Sequence, residues 1–125
     1  MEINRVLIVD DEEHIRLVSS LSARKVGKWE VAVAASGEEG IRAAIRERPD
    51  VMLLDVMMPD LDGPGTFQRL QEDERTAGIP VIFLTAKVQT HEIEAYLALG
   101  AAGVIRKPFD PMTLPDEIRK ILNGS

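Results

Sequence analysis

The sequence predicts an α/β protein in which five short parallel strands form one sheet and five helices cover both of its faces. Three observations carry this. Short apolar runs recur at Val6–Val9, Trp29–Ala34, Val51–Leu54, Val81–Leu84 and Gly103–Ile105. Helical patterns with recognisable ends fill the gaps between them. The first, third and fourth runs are apolar at every position, the pattern of strands buried between two helix layers. Alternation of this kind builds right-handed βαβ units and a doubly wound sheet.

Each helix has its own signature. After the acidic start Asp11-Glu12-Glu13, Ile15, Val18 and Leu21 repeat at helical spacing. Ser36-Gly37-Glu38-Glu39 reads as a capping box, with Ile41, Ala44 and Ile45 behind it and Pro49 as the stop. A third helix begins near Pro64 and turns Phe67 and Leu70 inward. The fourth carries Ile93, Tyr96 and Leu97, with Gly100 as its C-terminal cap. In the last, Leu114, Ile118, Ile121 and Leu122 form one apolar stripe. Pro115 would break the interior of a helix begun at Asp110, so this helix starts near Thr113 with Pro115 in its first turn.

The 125 residues suit one domain, 1–125, and a 45% hydrophobic, 29% charged composition is that of a globular chain. With no cysteine, thiol catalysis, thiolate metal sites and disulfides are all excluded. That composition fits a reducing compartment, hence a cytoplasmic protein. The N-terminus lacks a signal-peptide pattern, and no apolar run approaches the ~20 residues that span a bilayer. A formal charge of −6 disfavours direct contact with nucleic acid, whose phosphates would be repelled.

In a parallel sheet of this kind, ligands bind beyond the carboxyl ends of the strands. Four of the five runs end there in polar residues: Asp10-Asp11, Asp55, Thr85 and Arg106-Lys107-Pro108. Three acids, a hydroxyl and an amine therefore converge. Two unit charges about 4 Å apart repel by about 4 kcal/mol at an effective dielectric of about 20, and one ammonium cannot balance three carboxylates. A divalent cation can. Oxygen ligands with no His or Cys favour Mg²⁺ or Mn²⁺ over zinc. A carboxylate beside such an ion and a lysine is equipped to take a phosphoryl group as an acyl phosphate.

Four motifs occur in order: Val9-Asp10-Asp11, Leu54 to Gly63 (LDVMMPDLDG), Leu84-Thr85-Ala86 and Lys107-Pro108-Phe109. Through them the chain resembles, from end to end, bacterial response-regulator receiver domains of the stand-alone chemotaxis type. The resemblance implies a flavodoxin-like sheet of order 2-1-3-4-5. It implies that Asp55 is the phosphoacceptor, and that Asp10, Asp11, Asp55 and the Met57 backbone carbonyl hold Mg²⁺. Thr85 is then the switch hydroxyl, Ala86 leaves access to the phosphoryl group, and Lys107 binds it. The Lys107–Pro108 bond is expected to be cis. The implied donor is a sensor histidine kinase, a phosphotransfer protein or a small acyl phosphate. The implied output is a changed surface on the fourth helix, fifth strand and last helix, which binds a downstream protein or a second copy of the chain. Such a domain promotes its own phosphorylation and dephosphorylation but is not a turnover enzyme.

The chain departs from the family pattern at Val104, where many members carry an aromatic switch residue. Met57 and Lys87, two positions beyond Asp55 and Thr85, would flank the path of hydrolytic water. Neither orients water as an amide or acid would, which implies slow loss of the phosphoryl group. Glu12 and Glu13 read as an acidic helix start, Asp60 and Asp62 as turn residues before Gly63, and Arg106 as a surface charge. His14 and His91 read as solvated helix residues, and Trp29 as packing at the end of the edge strand. Three rival functions fit less well. An Asp-nucleophile phosphatase needs a second acid where Met57 stands. A receiver reduced to a binding module would lack an acid, the Thr or the Lys. A nucleotide-binding domain needs a Gly-rich loop after Val6–Val9.

Overall fold

The computed structural model describes residues 2–86 and 89–124. Five strands form one parallel sheet: β1 (Arg5–Val9), β2 (Glu30–Ala34), β3 (Val51–Asp55), β4 (Val81–Thr85) and β5 (Gly103–Arg106). Their order is β2-β1-β3-β4-β5, as the sequence predicts. The helices are α1 (Glu13–Leu21), α2 (Gly37–Glu47), α3 (Gly63–Gln71), α4 (Thr90–Leu99) and α5 (Leu114–Asn123).

Side chains alternate across each strand and so split the core in two. On one face, Leu7, Val9, Met52, Leu54 and Phe83 pack with Ala43 and Ala44 of α2 and with Phe67 and Leu70 of α3. Phe83 lies between Phe67 and Tyr96, ring centroids 5.7 and 5.1 Å away. On the other face, Val6, Ile8, Leu53, Ile82, Leu84 and Ile105 pack with Leu114 and Ile118 of α5. β1, β3 and β4 are buried at almost every position because both of their faces are covered.

The helix ends follow the sequence closely. The Ser36 hydroxyl accepts from the Glu39 N–H, while Glu39 reaches back to the Ala35 N–H, one residue beyond the expected box. α2 ends at Arg48, in the left-handed region (φ 48°), just before Pro49. Asp62 caps α3 by accepting from the Gly65 N–H. Gly100 (φ 114°) ends α4, and Pro115 sits in the first turn of α5.

Two helices pack differently from their apolar spacing. In α1 the fully buried residues are Ser19 and Ser20, Ile15 and Val18 are half-buried, and Leu21 is exposed. Ser19 and Ser20 are compatible with burial because their hydroxyls donate to the Ile15 and Arg16 carbonyls. The chain then widens into a π-type turn over Ser22–Val26, closed by the Gly27 N–H donating to the Ser22 carbonyl. α4 buries no residue fully, and Leu97 and Leu99 face solvent. Trp29 precedes β2, joins the second core cluster and stacks under Arg119, whose guanidinium carbon is 4.8 Å from the ring.

Candidate functional site

The parallel register brings the carboxyl ends of β1, β3, β4 and β5 to one edge. Beyond β1, the Asp10 N–H donates to the Ala34 carbonyl of β2. Asp55 closes β3 opposite Leu84, and the Val56 N–H continues the ladder to the Leu84 carbonyl. Thr85 closes β4, and its carbonyl accepts from the Lys107 N–H just past β5. Each side chain is thus set by a ladder bond at or next to its own residue.

Asp10, Asp55 and Thr85 are buried. The Lys107 side chain, 12% exposed, reaches in from the β5 end. Its ammonium donates to Asp55 Oδ1 at 3.1 Å and lies 2.7 Å from Asp10 Oδ2. The second contact is an ion pair without hydrogen-bond alignment. Asp10 Oδ2 therefore has no hydrogen-bond partner among the described residues, although it is buried. Asp10 Oδ1 accepts from the Glu12 N–H at 2.9 Å, and the Met57 N–H points at Asp55 Oδ1 from 3.4 Å.

Burial pushes the Asp55 carboxyl up to about 6; the Lys107 hydrogen bond opposes this and the Asp10 charge adds to it. Burial works against the charge on Lys107, but contacts with Asp10 and Asp55 outweigh it and raise its pKa. The site is a tight group of opposed charges with more negative than positive members.

Carboxylate oxygens of Asp10, Asp11, Glu12 and Asp55 lie within 4.8 Å of one another. An all-oxygen set with one buried oxygen lacking a hydrogen bond fits a hard divalent cation. The sequence-predicted residues Asp10, Asp11, Asp55, Thr85 and Lys107 all stand at this one edge. Met57 is exposed in the loop after β3, Ala86 is exposed just after Thr85, and Lys107–Pro108 is cis as expected. Lys87 lies outside the described residues. Asp62 and Asp60 (φ 66°) serve the turn before α3, and Arg106 is exposed.

Glu12 stands at the start of α1 as expected, as its N-cap; its side chain makes no capping bond, and its carboxylate also joins the acidic group, 3.7 Å from the Lys107 ammonium. One signal was available, since N-caps favour short side chains and Glu is a poor one. Arg16 is the second residue the motifs do not mark. Its Nη1 donates to the Asp10 carbonyl at 2.8 Å, which clamps the main chain of an acidic site residue. Nothing in the spacing announces that contact.

A doubly wound 2-1-3-4-5 sheet with an acidic pocket and a lysine at its carboxyl edge defines a chemotaxis-like receiver. The sequence profile of the response regulator receiver domain matches residues 6–119, and the chain belongs to that family, the receiver domains of two-component response regulators. It is 41% identical over 124 residues to a probable transcriptional regulator, ycf27, of Cyanophora paradoxa, covering 98% of this chain and 50% of that protein. It is 35% identical over 121 residues to the alkaline phosphatase synthesis transcriptional regulatory protein PhoP of Bacillus subtilis, covering 97% of this chain and 49% of PhoP. The chain thus spans about half the length of the curated relatives it matches. The chemotaxis protein CheY4 of Vibrio cholerae superposes with a TM-score of 0.87 at 31% identity, covering 96% of this chain and 99% of that one. Among the described residues, no helix is long and apolar enough to cross a membrane.

Proposed function

We propose that this chain accepts a phosphoryl group on Asp55 from a phosphohistidine donor and signals through a changed surface. The observation that carries this is a buried carboxylate hydrogen-bonded to a half-buried lysine, whose ammonium also pairs with a buried Asp10 oxygen at 2.7 Å. An Asp55 oxygen attacks phosphorus, an O–P bond forms, and the donor's N–P bond breaks with its electron pair going to the imidazole. Lys107 neutralises charge on the phosphoryl oxygens, and Thr85 offers its hydroxyl to one of them. Asp10, Asp11, Asp55 and the Met57 carbonyl would hold Mg²⁺, which offsets negative charge on the transferring group when bound.

The donor is a sensor histidine kinase or a phosphotransfer protein. The downstream protein, or a second copy of the chain, binds the face of α4, β5 and α5, where Leu97 and Leu99 are exposed. Residues 1–125 act as a single, cytoplasmic receiver domain that is not a turnover enzyme. If the chain works within a regulator like its longer relatives, its charge of −6 leaves any DNA contact to another part. With the apolar Met57 beside the acceptor, the phosphoryl group is lost slowly, which a phosphate-release assay reads directly.

Incubation with Mg²⁺ and acetyl phosphate, followed by intact mass, tests the assignment. One added phosphoryl group is expected on the parent and none on Asp55→Asn. Equal labelling of the two would overturn it.

A further inference from the structure

We infer that Glu12 is a fourth carboxylate of the cation cradle, acting on a divalent ion from the solvent side of the pocket. This rests on the cation reading above and adds a residue to it. Glu12 stands within the group of acids whose oxygens lie within 4.8 Å of one another. Its own N–H is bonded to Asp10 Oδ1, so its backbone is tied to the most buried acid of the cradle. It sits at the N-cap of α1 yet makes no capping bond, leaving the carboxylate to the pocket. The pocket itself points to a hard cation through its all-oxygen donor set, in which the buried Asp10 Oδ2 shares with Asp55 the one Lys107 ammonium, 2.7 Å away.

The alternative role, a salt bridge to Lys107, is weak. The pair is 3.7 Å apart and the Glu12 side chain is 61% exposed, where ion pairs contribute little. With Glu12 counted, four carboxylates face one ammonium. A divalent ion still leaves a net negative pocket, so Glu12 strengthens cation binding without being needed to neutralise the site.

Calorimetric titration with Mg²⁺, without any phosphoryl donor, tests this on the parent, Glu12→Gln, Glu13→Gln and Asp10→Asn. Glu12→Gln should weaken binding roughly threefold to tenfold, with a smaller difference at high salt. Glu13→Gln, its neighbour outside the acidic group, should stay within about twofold. Thermal melts without metal check that the variants are folded. Equal effects of Glu12→Gln and Glu13→Gln would overturn the inference while Asp10→Asn still lost binding. Unweakened binding by Asp10→Asn would overturn the cation reading, and the role of Glu12 with it.

Discussion

Lys107 sits nearer to Asp10 than to Asp55: its ammonium is 2.7 Å from Asp10 Oδ2 and 3.1 Å from Asp55 Oδ1. One cation is thus shared by two buried carboxylates, and neither is fully compensated. Two buried carboxylates facing one ammonium leave an excess of negative charge, so removing either kind of charge should change stability.

Lys107→Ala should therefore destabilise the metal-free protein by roughly 3 kcal/mol at pH 7.5, because two buried carboxylates would face each other unpaired. Urea unfolding in a chelator measures the loss. Most of it should return with saturating Mg²⁺, and part of it as the pH falls below about 6, where Asp55 protonates. A variant as stable as the parent in chelator at pH 7.5 would show that the lysine does not compensate these acids.

Removing the acceptor charge should do the reverse. The Asp55 pKa rises from 3.8 to about 6 on folding, so the native state binds the proton more tightly than the unfolded chain. Stability then falls as pH rises through the window from about 4 to 6, and the full cost is present above it. Asp55→Asn should stabilise the metal-free protein at pH 7.5 by roughly 2 kcal/mol, and by little at pH 4. Equal stabilisation at both values would exclude ionisation as the cause. Saturating Mg²⁺ should shrink or invert the difference.

Arg16 acts through Asp10. Its bond to the Asp10 carbonyl falls just past the end of β1. Arg16→Met should cost about 1–2 kcal/mol, as for a lost charge-assisted hydrogen bond, and should slow labelling by acetyl phosphate. Arg42→Met, on an exposed position of α2, is the control and should change neither. An Arg16→Met protein that labels at the parent rate would confine Arg16 to a structural role.

The sheet was legible because β1, β3 and β4 are apolar on both faces, and the site because a parallel sheet collects its strand ends at one edge. Asp10, Asp55, Thr85 and Lys107 could thus be placed together without any knowledge of their side chains. Glu12 was legible as part of the helix start, where it stands, but not its place in the acidic group, because only the turn after Asp10 decides where its carboxylate goes. Arg16 was invisible since its partner is a main-chain carbonyl, which no residue type reports. In α1, the apolar spacing suggested Leu21 as a packing residue. The structure buries Ser19 and Ser20, whose hydroxyls are satisfied within the helix, and leaves Leu21 46% exposed.

Gly63 links the acceptor loop to α3, and a side chain there has no room. A Cβ would lie 2.5 Å from the Asp55 carbonyl oxygen and 2.7 Å from the Val56 Cα, both backbone atoms that cannot swing aside. The Gly63 N–H also donates to the Val56 carbonyl at 2.9 Å, so the loop and the first turn of α3 must move together. Gly63→Ala should cost about 2–3 kcal/mol and should slow labelling of Asp55 by acetyl phosphate, since the carboxylate's own main chain is displaced. Gly78→Ala is the matched control. Nothing lies within 4 Å of a Cβ at Gly78, and the smaller entropy of the unfolded chain should leave that variant neutral or stabilised by up to about 1 kcal/mol. If Gly63→Ala unfolds at the same urea concentration as Gly78→Ala, the close packing of α3 against the acceptor residue is not what holds the loop in place.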